Sequence, residues 1–349
     1  MNATHVGTIR IKTKNLQAYE KTKSGWKRVS KSFPELLNVV KLFKANHNFP
    51  SLIDKKDKTF LKGQLYKGQP QGARINILPN GKVLDKAYSL FAPHLTIHDQ
   101  SSNEHWDVIY QNKGSEYAYC YTLEKRRQHT KEKYKKVELF EKCYSKLRTN
   151  VKKALKDEKD NLALPLWTLL KTYMRVGNEM YYHVHGHKGL TTLKKKDIHI
   201  KGKEVNFAYI GKDGVPLSLT HTFEKEYISR LQKLLKTKKP DNFVFTSEST
   251  RHPIPEQEFK KAFVKYTGKE FYPHIVRSHY ATKQVKEFLK HRKKASKEEV
   301  NTLFLSIAHD LGHRRFQKKT HTWQENSTVT VHHYIDPSLV ERVQKLQRN

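Results

Sequence analysis

Cysteine is nearly missing from this 349-residue sequence: there are two, Cys120 and Cys143, at a spacing that matches no metal-ligand pattern. A disulfide framework and a cysteine-bound zinc are therefore not expected, and a reducing compartment is. No apolar run approaches the roughly 18 residues of a membrane-spanning helix. Met1-Asn-Ala-Thr-His-Val6 lacks the apolar region of a signal peptide, so a chain that is neither secreted nor membrane-embedded is expected. A glycine-rich loop ending in Lys-Ser or Lys-Thr is also missing, which argues against nucleoside-triphosphate chemistry. There is no internal repeat and no low-complexity tail. Acidic residues are scarce beside basic ones, 34 Asp and Glu against 68 Lys and Arg.

That imbalance leaves a formal net charge of +34. A surplus of this size predicts a polyanionic partner, because basic surface gains affinity by releasing the counterions of a phosphate backbone. Nucleic acid fits better than a membrane surface, and charge alone says nothing finer. A hydrophobic fraction of 36%, with aromatic residues at 11% of the chain, suffices for a core, and the length allows two domains or one large one.

The first third leans towards β structure. Ile9 and Ile11 alternate, Gly25-Trp-Lys-Arg-Val29 follows, and a helix is expected around Leu36 to Phe43. Asn46 to Gln71 reads as basic loop. Two hairpins are predicted, one turning at Pro79-Asn80-Gly81 and one at Asn112-Lys-Gly-Ser115. Tyr117, Tyr119 and Tyr121 share one strand face, read as a half-buried sheet face in preference to a base-stacking platform. Lys125-Arg-Arg127 and Lys131-Glu-Lys-Tyr-Lys-Lys136 read as a charged connector, which sets the domains at 1–127 and 128–349. Beyond it Phe140, Tyr144, Leu147, Val151 and Leu155 mark one face of a long basic helix.

Leu166, Leu169, Leu170, Tyr173, Gly177 and Met180 recur at helical spacing and place Arg175 near the end of a buried helix. A polar loop is expected next, then two alternating runs, Glu204 to Ile210 and Val215 to Thr220. Gly211-Lys-Asp-Gly214 joins them, so Lys212 should sit at a hairpin tip. His183, His185 and His187 would share a strand face, but no cysteine or fourth ligand supports a metal there. Helices follow: one through Phe223, Tyr227, Leu231 and Leu235, one through Phe259, Phe263 and Tyr266 ending at Gly268, and one from His274 to Leu289. Ser296-Lys-Glu-Glu299 is a capping box for the next, which Gly312 ends, and the last starts near Asp336-Pro337.

Arg175-Val-Gly-Asn-Glu179, Gly189-Leu-Thr-Thr-Leu193 and Tyr209-Ile-Gly-Lys212, followed by Arg277, Leu311-Gly-His313 and Tyr334-Ile-Asp-Pro337, resemble the type IB DNA topoisomerases. The tyrosine recombinases, whose catalytic domain is related, share the series. The resemblance covers roughly 105–345. It implies an α+β fold with a small β-rich, DNA-clamping N-terminal domain and a mostly α-helical catalytic domain containing a small antiparallel sheet. It further implies that Arg175, Arg277 and His313 bind the phosphate, Lys212 protonates the leaving 5′-oxygen and Tyr334 is the nucleophile. Two guanidinium groups and an imidazole can stabilise the charge of a pentacoordinate phosphorus without a metal, and a 3′-phosphotyrosine conserves the bond energy for resealing. The implied partner is duplex DNA, bound by a monomer in a DNA-containing compartment such as cytoplasm or nucleoid, with no cofactor. His274, three residues before Arg277, follows the recombinase pattern instead. His313 also stands 21 residues before Tyr334 where the family has about nine, so Arg314 to Val331 holds an insertion. His321 is the second candidate for the ligand role, with His332 and His333 behind it.

Overall fold

The computed structural model describes residues 4–98, 105–112, 114–247, 249–290 and 292–347. The chain separates into two units, Met1–Glu132 and Lys133–Asn349.

In the first unit the alternation at Ile9 becomes β1 (Ile9–Ile11), followed by β2 (Ala18–Thr22), β3 (Gly25–Arg28) and α1 (Pro34–Ala45). The stretch expected to be loop contributes β4 (Gln64–Tyr66) and β5 (Gln69–Gln71). Both are three residues long, too short to show alternation, yet they complete a sheet in the order β3-β2-β1-β4-β5. The first predicted hairpin is β6 (Ile75–Ile77) with β7 (Val83–Tyr88). After β8 (Thr96–Ile97), the second is β9 (Val108–Gln111) with β10 (Tyr117–Cys120). Leu36, Val40 and Phe43 of α1 pack with Leu61, Tyr88 and Val108 in one apolar core.

Two expectations fail in this region. Tyr117 and Tyr119 are exposed, whereas Ala118 packs on the core and Cys120 is buried. Strand alternation puts the tyrosine row on the solvent side, because the core takes the smaller side chains of β10. Burial pushes the Cys120 thiol up to about 11, which keeps it protonated and unreactive. The charged connector is not a linker either. It is the beginning of α2 (Leu123–Ala154), and the division between the units falls inside that helix. Lys, Arg, Glu and Gln are good helix formers and the run has no Gly or Pro, so nothing in it interrupts the backbone.

The second unit continues with α3 (Ala163–Thr172), almost wholly buried. It stops where Tyr173 adopts a left-handed conformation (φ 55°), so the apolar spacing overruns the helix and Arg175 lies three residues beyond its end. The expected loop then forms α4 (Glu179–His185), whose Asn178 side chain accepts the Tyr181 N–H at 2.9 Å. His183 and His185 are therefore helical and do not alternate along a strand, and Met180 is 76% exposed.

A small antiparallel sheet follows, β11 (Ile198–Lys201), β12 (Glu204–Ile210) and β13 (Pro216–Thr222) in that order. Then come α5 (Lys225–Lys236), α6 (Glu256–Thr267), α7 (Ile275–Lys290) and α8 (Lys297–Asp310). The capping box forms: Ser296 Oγ accepts the Glu299 N–H at 3.1 Å and the Glu299 carboxylate accepts the Ser296 N–H at 2.8 Å. The insertion is a hairpin, β14 (Arg314–Gln317) with β15 (Thr322–Glu325), ahead of α9 (Thr328–His333) and α10 (Pro337–Leu346). Two apolar clusters support this unit. The larger joins α2, α3, the sheet, α5 and α6, and the smaller lies among α7, α8 and α10. Helix α7 serves both, with Ile275 and Val276 in the first and Ala281 and Val285 in the second. Arg277 sits at their junction. Among the described residues no helix is long and apolar enough to cross a membrane.

Candidate active site

The segment carrying Arg175 is held by backbone pairing. Leu190 N–H donates to Arg175 O at 2.8 Å and Thr191 N–H to Val176 O at 2.7 Å. The approach is so close that a Cβ on Gly189 would stand 2.5 Å from Gly177 N and 2.6 Å from Arg175 O. Gly177 itself has φ +95°, which excludes most side chains. The two motifs that are distant in sequence, Arg-Val-Gly-Asn-Glu and Gly-Leu-Thr-Thr-Leu, are thus one structural feature, and it orients Arg175.

Lys212 occupies the tip of the β12–β13 hairpin, where Asp213 (φ 63°) and Gly214 (φ 77°) supply the two left-handed residues that a tight hairpin turn needs. Its side chain is exposed and has no hydrogen-bond or ion-pair partner among the described residues. Gly211 and Gly312 both lie against Leu217: a Cβ on either would come within 2.9 and 2.8 Å of it, respectively. The Lys212 hairpin and the end of α8 therefore pack through glycine on one leucine.

Arg277, 2% exposed, is fixed by the protein backbone. It donates to Tyr173 O, and its Nη2 donates to Leu311 O at 2.8 Å and approaches His313 Nε2 at 2.9 Å. Its Nε is buried without a partner among the described residues. An unpaired buried guanidinium N–H is costly, and an anion entering the pocket would satisfy it. Burial pulls the Arg277 pKa down, and the neighbouring Tyr334 phenol opposes that.

His313 follows Gly312, whose left-handed φ of 66° turns the chain out of α8. Its Nδ1 lies 2.7 Å from Thr330 Oγ1. Burial, then the charges of Arg277 and Arg175, with His274 and His333 adding to them, drive its pKa down to about 2. The 21-residue separation from Tyr334 is no obstacle, because Asn326 N–H donates to His313 O at 2.9 Å and closes the base of the β14–β15 hairpin. The ring centroids of His313 and Tyr334 are 4.9 Å apart. Arg277 lies 5.1 Å from the Tyr334 ring and Lys133 5.6 Å.

Arg175, Lys212, Arg277 and His313 line one cavity of about 110 Å³, and Tyr334, 2% exposed, packs behind its Arg277–His313 wall. His321 stands at the far end of the β14–β15 hairpin beside Phe316, outside that lining. His332 and His333 end α9 and do not line it either. Charge in the cavity is strongly positive. Lys188 is neutralised by Asp197 at 2.7 Å and Asp310 is engaged by the Tyr280 hydroxyl, while Arg314 joins the wall by donating to Pro216 O at 3.1 Å. Tyr209, buried in the same wall, has its phenol pushed up to about 12 by burial in spite of the two arginines, so it stays neutral.

The residue types and their convergence are those of a phosphoryl-transfer centre built on cations. The sequence family "Eukaryotic DNA topoisomerase I, catalytic core" matches residues 122–342, most of the chain. The chain belongs to this family. The matched span is the catalytic core of that family. Solved structures similar to this chain include the XerH site-specific recombinase bound to difH substrate in a pre-cleavage complex. That match has 14% identity, 48% of this chain and 44% of that one, and a TM-score of 0.33. XerA recombinase matches at 17% identity over 58% and 62%, with a TM-score of 0.34. The chain thus spans between 44% and 62% of the length of these structures. No curated protein sequence matches it.

Several contributors escaped the sequence reading. Thr330 is invisible without the hairpin that returns it to His313. Lys133, which reaches the His333 carbonyl and the Tyr334 ring, looked like one more cation in a charged run. His274 was noted only for its spacing, yet its ring lies 5.0 Å from that of Tyr334. Although its outer side is exposed, desolvation and then Arg277, Arg175, Lys133 and Lys212 lower its pKa to about 3.

Proposed function

We propose that this topoisomerase-family chain is a type IB enzyme that relaxes supercoiled duplex DNA by transient cleavage of one strand. The observation that carries the reading is the convergence of Arg175, Lys212, Arg277 and His313 on one cavity with Tyr334 against its wall. In this reading Tyr334 loses its phenolic proton to solvent as its oxygen attacks the scissile phosphorus, and the bond to the 5′-oxygen breaks. Lys212, exposed at a turn and without a competing partner, protonates that oxygen as it leaves. Arg175, Arg277 and His313 carry the extra negative charge of the pentacoordinate state. The phosphotyrosine retains the energy of the broken bond, so the 5′-hydroxyl reseals the strand without a nucleotide. The enzyme acts as a monomer in a DNA-containing compartment, with residues 1–127 as a clamping domain on the duplex and 128–349 as the catalytic domain. The net charge of +34 supports the duplex as partner.

The second reading, site-specific strand exchange by a tyrosine recombinase, is favoured by His274 beside Tyr334. One experiment separates the two: relaxation of a negatively supercoiled plasmid in EDTA without ATP, with Tyr334→Phe in parallel. Relaxation by the wild type alone is expected. An adduct formed only at particular sequences, without relaxation, would favour strand exchange, and neither signal would remove both readings.

A further inference from the structure

We propose that Thr330 is a positioning residue that sets the tautomer of His313 and ties that ring to the turn carrying Tyr334. The proposal rests on the reading of this pocket as a phosphodiester-cleaving site. Its basis is the hydrogen-bond pattern around one imidazole. A guanidinium can only donate, so the 2.9 Å contact from Arg277 Nη2 makes His313 Nε2 an acceptor. The proton of the neutral ring therefore resides on Nδ1, which donates to Thr330 Oγ1 at 2.7 Å. Thr330 is wholly buried, and its carbonyl accepts the Tyr334 N–H at 2.9 Å. One residue thus holds the phosphate-ligand candidate through its side chain and the nucleophile candidate through its backbone.

This arrangement prepares a change of state. The charged and titratable groups around His313 are Arg277 on α7, Arg175 after α3, His274 before α7, His333 and Tyr334 around the end of α9, and Lys212, Asp310 and Arg314 in the lining of the same cavity. In the free protein burial, and after it the cations, keep the ring neutral. A phosphate in the pocket brings the negative charge that permits a proton from solvent to settle on Nε2. Nδ1–H then stays on Thr330 Oγ1, Nε2–H points to a phosphate oxygen, and Arg277 Nη2 turns from the ring to the same anion. The threonine oxygen is needed in both states because Nδ1 is a donor in each. Valine has the same shape and no acceptor, and would leave that buried N–H unpaired.

The test uses the full chain and its Thr330→Val and Thr330→Ser variants. Long-range nitrogen–proton NMR of the free wild type should find His313 as the Nδ1–H tautomer, and an Nε2–H tautomer would overturn the proposal without any variant. Single-turnover adduct formation on a duplex, followed against pH, should be about 10- to 100-fold slower at neutral pH in Thr330→Val. The optimum should move to lower pH, because the imidazolium has lost an acceptor. Serine should restore the rate to within a few-fold. A valine variant with the wild-type pH profile, or a serine variant as slow as valine, would show that the site needs only packing here. Should the wild type form no adduct, the phosphodiester reading falls, while the NMR result still decides what Thr330 holds.

Discussion

The two sides of the cavity are built by opposite means. Arg277 lies on α7 and His313 and Tyr334 lie just past the ends of α8 and α9; all three are at most 8% exposed and touch one another and the backbone. Arg175 and Lys212 come from an extended segment and a hairpin tip, and Lys212 has no partner at all among the described residues. In the proposed mechanism the groups that bear charge at a fixed point are held by a core, whereas the proton donor is exposed and unpartnered among the described residues. The buried side therefore couples function to folding, and the exposed side does not.

The largest effect that would test this contrast comes from Tyr334→Phe. Covalent adduct should vanish, while salt-sensitive duplex binding remains, as read by denaturation trapping and filter binding; loss of binding too would point to misfolding or another nucleophile. Next, Lys212→Ala should slow cleavage about 10²- to 10⁴-fold with an unchanged melting temperature. Replacing the leaving oxygen of the substrate by sulfur, which departs without protonation, should recover most of that loss. Arg277→Lys, by contrast, should lower both cleavage and melting temperature, because its contacts to Tyr173 O and Leu311 O are lost. If Arg277→Lys melts like the wild type, the contrast between the two sides is wrong.

A subtler effect concerns pH. The His313 pKa lies far below 6.5 in the folded chain, so the unfolded chain binds a proton first. Its contribution to stability is complete above about pH 6.5 and is lost as pH falls towards 2, amounting to roughly 2 kcal/mol between pH 6.5 and 4.5. Urea unfolding of wild type and His313→Gln at both pH values should show a slope smaller by about that amount in the variant, with other depressed histidines such as His274 supplying the remainder. The smallest effect is expected at His321: His321→Ala should leave cleavage and melting unchanged, and a marked loss would return the ligand role to the hairpin.

Much of the scaffold was legible because its signals are local. The Asp213-Gly214 turn, the Ser296–Glu299 capping box and the Asp336-Pro337 helix start need only neighbouring residues, and all three stand as read. The end of α3 was not legible, since apolar spacing continues to Gly177 while Tyr173 turns left-handed to serve tertiary contacts, including stacking on Tyr280 at 3.9 Å. The candidate site was legible as an ordered set of five residues. What joins them was not: the Gly189 approach, the Thr330 hydroxyl and the Lys133 contact all depend on residues far apart in the chain. The tyrosine row on β10 failed for a related reason, since alternation shows that two faces differ but not which one meets the core.

The hairpin between His313 and Tyr334 has a consequence for how such an enzyme can change. Its two ends are fastened by the backbone hydrogen bond from Asn326 to His313 and by the β14–β15 ladder beyond it, so the path between them is a closed excursion. Chain length can grow or shrink outside that fastening while the imidazole and the phenol keep their separation. The catalytic spacing is thus uncoupled from the sequence spacing, and this point on the surface is a natural socket. A reporter, or a module that recognises a chosen DNA sequence, could be grafted there without disturbing the atoms that react.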